Sequence, residues 1–195
     1  LGKLIPLFTR TREPEDDWDR RVMEDRSVQD AALLRGFNTY KPVIAAINGF
    51  CLAGGTELIQ ATDIRIAAPH ATFGLSEVKR AIVPAGGSLV RLARQIPYAK
   101  AMEILLTGEA MTAQEAYRIG LVNYVVPGEE LMASAERFAR VIASNGPIAV
   151  RKIKEAVIRT SGVPLEDAYG IENECAREVM MSEDAKEGPR AFMEK

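Results

Sequence analysis

Apolar residues form short unbroken runs in the first part of the chain and fall at helical spacing in the second. The clearest run is Pro42-Val43-Ile44-Ala45-Ala46-Ile47, of strand length and rich in β-branched residues. It predicts a strand buried on both faces, as in a parallel sheet. Gly49 and Gly54-Gly55 follow, then a helix-like stretch through Ala61. Asp63-Ile64-Arg65-Ile66-Ala67 predicts a second strand, ended by Pro69, and Leu121-Val122-Asn123-Tyr124-Val125-Val126 a third. Upstream, the dense charge of Arg12-Glu13-Pro14-Glu15-Asp16-Asp17-Trp18-Asp19 predicts a solvated loop leading into a helix that ends near Gly36.

Helical spacing covers 89–96 and 99–106, the latter closed by the C-terminal glycine signal Thr107-Gly108. Thr112-Ala113-Gln114-Glu115 has the form of a capping box, and Gly120 ends that helix. Residues 129–145, 147–160 and 164–181 predict longer helices, with Pro147 and Pro164 at starts, where proline is tolerated. The order predicts an α/β core over 1–127 and a helical region over 128–195. Three strands are too few for a covered parallel sheet. Further strands are therefore expected from another chain or from sequence preceding Leu1.

Composition narrows the chemistry. The chain has 195 residues, 47% hydrophobic and 27% charged, and a net charge of −2. That suits one soluble core and gives no basic field for nucleic acid. With one histidine, His70, and two cysteines, Cys51 and Cys175, the chain is poorly supplied for Ser-His-Asp or Cys-His catalysis, a zinc site or a disulfide framework. No metal or cofactor is expected. The 15-residue charge-free run from Pro42 to Thr56 is too short and too broken to span a membrane. The start carries no signal-peptide pattern. The reading is a cytoplasmic chain whose N-terminal part has been removed.

The turn Gly49-Phe50-Cys51-Leu52-Ala53-Gly54-Gly55-Thr56-Glu57 nearly spells a phosphate-binding loop, but Gly55 holds the position of the required lysine. What remains is a helix N-terminus opened by two glycines, where free N–H groups favour an anion, here a developing oxyanion. Taken alone, Glu57 complements the helix dipole, Glu77 is an ordinary loop glutamate, and Val83-Pro84-Ala85-Gly86-Gly87-Ser88 is a glycine turn entering a helix. His70 reads as a turn residue, Cys51 as packing, and Arg91 and Arg94 as solvated or paired. Trp18 and its neighbours read equally as a lid or a loop helix.

Together these elements resemble the crotonase, or enoyl-CoA hydratase/isomerase, superfamily. The resemblance runs through Lys41-Pro42-Val43-Ile44-Ala45-Ala46-Ile47-Asn48-Gly49, Ala53-Gly54-Gly55-Thr56-Glu57-Leu58, Phe73-Gly74-Leu75-Ser76-Glu77 and Pro84-Ala85-Gly86-Gly87. Leu106-Thr107-Gly108, Ala113-Gln114-Glu115-Ala116 and Gly120-Leu121-Val122 follow in family order, and 184–195 looks like the family's closing helix. The resemblance implies an α/β fold: a ββα superhelix core, truncated at its N-terminus, with a C-terminal helical trimerisation region.

It also implies a reaction. Such proteins bind acyl-CoA thioesters and hold an enolate in an oxyanion hole of two backbone N–H groups. One maps to Gly54; the other belongs to a Gly-Ala-Asp-like segment expected before Leu1. In the hydratases two glutamates flank a water that adds across the α,β double bond, and they map to Glu57, orienting and activating water, and Glu77, serving the α-carbon proton. Gly55, Ala85, Leu75, Phe192 and Lys195 map to substrate or CoA contacts, the last two across a subunit boundary. Leu75 and Ser76 stand where short-chain hydratases have Gln and Pro, and Ala85 where they have Gly, so the acyl group stays open. The resemblance implies a homotrimer or a dimer of trimers. Enoyl-CoA isomerisation, dehydration of a different hydroxyacyl-CoA, C–C bond hydrolysis and noncatalytic acyl-CoA binding are the alternatives.

Overall fold

The computed structural model describes residues 4–193, without the side chains of residues 4, 5, 189, 191 and 192. It divides into one unit of residues 1–38 and 44–134 and a second of 39–43 and 135–195.

The first unit carries six strands where the periodicity predicts three. β1 (Ile44–Ile47) leads through Asn48-Gly49 into β2 (Phe50–Leu52), then α4 (Gly54–Ile59); β3 (Ile64–Ala67) leads likewise into β4 (Thr72–Gly74) and a 3-10 turn over Ser76–Arg80. Upstream lie α1 (Leu4–Phe8), α2 (Asp17–Glu24) and α3 (Arg26–Ala32). The helix expected to end near Gly36 is thus two helices, broken at Asp25, whose carboxylate caps α3 by accepting from Ser27 N at 2.9 Å.

β1 pairs in parallel with β3, Ile44 opposite Ile64, and β3 pairs in parallel with β6 (Tyr124–Val125). A second sheet pairs β2 with β4 in parallel and β4 with β5 (Met111–Thr112) antiparallel. This twice-repeated strand–strand–helical-turn unit is the ββα pattern. β1 is not buried on both faces as expected: Ile47 alone is fully buried, because β1 is the edge strand of its sheet among the described residues. The central strand β3 buries Arg65, Ile66 and Ala67.

The core gathers Ile47, Cys51, Phe73, Leu75, Leu92 and Leu121. Around it stand α5 (Ser88–Gln95), α6 (Tyr98–Thr107) and α7 (Ala113–Arg118). The predicted stops and caps occur: Gly108 and Gly120 have φ of 64° and 81°, and Thr112 Oγ1 accepts from Glu115 N at 3.2 Å.

After α8 (Leu131–Ala143), the second unit packs α9 (Pro147–Thr160) against α10 (Leu165–Met180), with α11 (Glu183–Met193) following. Arg159 joins the two helices through Glu174 at 2.7 Å, and Lys152 through Glu178 at 2.5 Å. No helix among the described residues is long and apolar enough to cross a membrane.

Candidate active site

The chain enters α4 through Ala53, whose φ of 50° and ψ of −120° are unusual for a residue with a Cβ. The turn is fixed from two sides. Ala53 N donates to Gly74 O at 2.8 Å. Thr56 Oγ1 donates to Cys51 O and accepts from Gly74 N at 3.2 Å. The first turn of α4 is thereby pinned to the end of β4, from which the chain runs on to Glu77. Gly54 is partly exposed and Gly55 exposed at the opening of the helix, whose first amide groups have no partner within the helix.

Glu57 lies on that turn and is 5% exposed. Its Oε1 accepts from Ser88 N at 3.2 Å. Burial pushes its pKa upward; hydrogen bonds from Ser88 and from the Gly86 backbone, and the charge of Arg91, pull against that. Gly86 leaves room here for the Glu57 carboxylate. A Cβ at this position would stand 2.5 Å from Glu57 Oε2 and 2.9 Å from its Cδ, and would also strike Leu33 Cδ1.

Glu77 sits in the 3-10 turn and is 4% exposed. Its Oε2 is buried without a hydrogen-bond partner. Burial raises its pKa, and the nearby charge of Glu57 raises it further. The two carboxylates therefore share one electrostatic environment, but unequally. Glu57 accepts from Ser88 N and lies near the charge of Arg91; Glu77 lies near the charge of Arg80 and leaves Oε2 without a hydrogen-bond partner. Both are held above the ordinary carboxyl range by burial.

The other expected positions scatter. Ala85 is exposed, and its carbonyl accepts from Arg35 Nη1 at 3.0 Å. Leu75 is wholly buried in the core. The Phe192 side chain and Lys195 lie outside the described residues. The Cys51 thiol is buried, its pKa pushed up to about 11, which leaves it an inert packing group. His70 is exposed and its Nε2 lies 3.0 Å from Asn48 O. Trp18 is 68% exposed on α2, with Arg21 over its ring. No metal-binding cluster occurs among the described residues.

Sequence reasoning missed what four residues contribute. Arg91 is paired, but inward. Its Nη2 donates to Leu34 O at 2.6 Å and its Nη1 to Leu33 O at 3.2 Å, which ties the end of α3 beside Glu57. Leu33 reaches both glycine turns, 3.7 Å from where a Gly54 Cβ would stand. Gln60 and Ser88, both buried, bond each other behind Glu57 at 2.8 Å.

The sequence pattern of the enoyl-CoA hydratase/isomerase family matches residues 22–195. The chain belongs to this family. An enoyl-CoA hydratase of Mycobacterium tuberculosis is 48% identical over 164 residues, 84% of this chain and 62% of that protein. A carnitinyl-CoA dehydratase of Salmonella typhi is 40% identical over 191 residues, 91% of this chain and 73% of that protein. The chain thus spans about two thirds of the length of these relatives. Among solved structures, one described as an enoyl-CoA hydratase/isomerase of Mycobacterium abscessus has 51% identity and a TM-score of 0.84, covering 89% of this chain and 70% of that one. The enoyl-CoA hydratase of Bacillus anthracis has 41% identity and a TM-score of 0.86, covering 95% and 70%. The crotonase-type fold expected from the motifs is therefore the fold of this enoyl-CoA hydratase/isomerase family member.

Two buried acids cost this family member stability at neutral pH. A carboxyl whose folded pKa is raised favours the fold while protonated. That advantage is lost as pH rises from the ordinary value of 4.5 through the folded one. Glu77→Gln is expected to melt about 2–4 °C higher than the parent at pH 8, on the order of 1 kcal/mol in a chain of this size, with the gap closing at pH 4. Thermal melts at the two pH values check this.

Proposed function

We propose that the protein hydrates 2-enoyl-CoA thioesters, with Glu57 and Glu77 as its acid–base pair. The observation that carries this reading is the unequal pair of buried carboxylates beside the glycine-opened turn of α4. Glu57, the better supplied with donors, accepts a proton from water. The water oxygen bonds to the β-carbon, and the double-bond electrons move onto the thioester oxygen. Gly54 N–H holds that oxyanion, together with a second backbone donor. Glu77 protonates the α-carbon. Gly55, Leu75 and the Ala85 backbone serve the acyl thioester, and the Phe192 side chain and Lys195, outside the described residues, serve the CoA of a neighbouring subunit. The reaction needs no cofactor, and we place it in cytoplasmic acyl-CoA metabolism.

Dehydration of a different hydroxyacyl-CoA is the second reading. It is favoured by the 40% identity to a carnitinyl-CoA dehydratase, a relative matched over 91% of this chain. A panel of short, branched and aromatic enoyl-CoA and hydroxyacyl-CoA substrates, assayed on the full-length protein, separates the two. Conversion of a simple 2-enoyl-CoA to its 3-hydroxy product supports hydration; conversion restricted to a substituted hydroxyacyl-CoA supports dehydration.

We further propose assembly as a homotrimer or dimer of trimers. Ile153 and Val157 on α9 and Met180 and Met181 at the end of α10 are exposed and apolar. Sedimentation is expected to give a species of three or six chains.

A further inference from the structure

We infer that Gln60 and Ser88 are positioning residues, a buried pair that holds the Glu57 carboxylate in place as a proton acceptor. The inference rests on the reading of Glu57 as the group that takes the proton of water.

The hydrogen inventory at this pair is closed. A glutamine amide has two N–H bonds. Gln60 Nε2 spends one on Thr56 O at 3.0 Å and the other on Ser88 Oγ at 2.8 Å. Exchanging the amide oxygen and nitrogen would set oxygen against the Thr56 carbonyl, two acceptors face to face. Ser88 Oγ is therefore an acceptor toward Gln60, and its one hydrogen must point elsewhere. Ser88 is fully buried, and the acceptor beside it is Glu57. The Ser88 backbone N–H already donates to Glu57 Oε1 at 3.2 Å. Ser88 thus turns a backbone donor toward the carboxylate and sets its hydroxyl beside it, and Gln60 limits which way that hydroxyl's hydrogen can point.

Packing alone does not account for Gln60. The residue is 2% exposed, and its Oε1 has no hydrogen-bond partner. An apolar side chain of similar size would fill the space without burying an orphaned acceptor. The backbone of Gln60 is held as well: Gln95 Nε2 donates to Gln60 O at 2.8 Å, and Arg65 Nη2 donates to Gln95 Oε1 at 2.9 Å. The pair is anchored by a chain of bonds that starts at a buried arginine in β3. The other charged groups that act on Glu57 are Glu77 from the 3-10 turn and Arg91 from α5, with Arg35 acting on Arg91. Neither glutamate nor arginine contacts depend on Gln60, so its effect is separable from theirs.

The test is a carbon-13 NMR titration of the chain labelled at the glutamate side-chain carboxyl carbons, in which the Glu57 signal is the one missing from Glu57→Gln. Ser88→Ala is expected to raise the Glu57 midpoint by about one pH unit, a tenfold tighter hold on its proton. Gln60→Leu, which frees the serine hydroxyl to turn away, is expected to raise it by a smaller amount. Gln60→Leu also serves if Ser88→Ala does not fold. A midpoint unmoved in the folded variants overturns the inference, as does a rise matched by an equal loosening of the whole fold in thermal melts. The titration needs no substrate. A shifted midpoint in a protein that hydrates no enoyl-CoA would leave the pair standing and remove the proposed reaction instead.

Discussion

Glu77→Gln is expected to slow enoyl-CoA hydration by about 100- to 10,000-fold, the range general acid–base catalysis supplies. The amide keeps the shape of the acid and cannot deliver a proton to the α-carbon. Glu77 Oε2 has no hydrogen-bond partner among the described residues. Glu57→Gln is expected to cost a similar factor through loss of the base. Both losses should fall on kcat with KM little changed, because proton transfer is made in the transition state. The two variants part in their stability. The charge of Glu57 raises the pKa of Glu77, so removing it should let Glu77 ionise at lower pH. Steady-state kinetics on both, with thermal melts to verify folding, decide the matter. Retention of more than a tenth of parental kcat by either variant contradicts the assignment.

Gly86→Ala is expected to cost on the order of 100-fold in kcat while leaving the fold in place, because a displacement of about 1 Å in a reacting group is worth that much. The added methyl would lie 2.5 Å from Glu57 Oε2, inside any permitted contact, and Leu33 closes the other side. Glu57 must move, which disturbs its bond from Ser88 N. The colliding atoms are side-chain ends rather than backbone, so the core is spared. An alanine here that leaves kcat at the parental value would mean that Glu57 tolerates displacement, and so does no positioned chemistry.

The parts of the fold visible in the sequence are those whose signal is local and long enough. β1 and β3 announce themselves as unbroken apolar runs, and α6 and α7 by their glycine stops and the Thr112 cap. β2, β4 and β5 are two or three residues each, too short for any periodicity to register, so half the strands were hidden in what reads as turns. Glu57 and Glu77 were legible through the motifs around them. Their surroundings were not. Gln60 meets Ser88 across 28 positions, and Arg91 meets Leu33 across 58. Nothing in an arginine on a helix tells whether it faces water or a carbonyl until the chain has folded around it.

The most direct test of the central claim is the product formed from a short 2-enoyl-CoA in deuterium oxide by the full-length protein, followed by mass and proton NMR. Hydration through Glu57 and Glu77 predicts a 3-hydroxyacyl-CoA carrying one deuterium on the α-carbon, with formation lost in Glu57→Gln and in Glu77→Gln. An unhydrated isomer as product, or undiminished hydration by either variant, would contradict it.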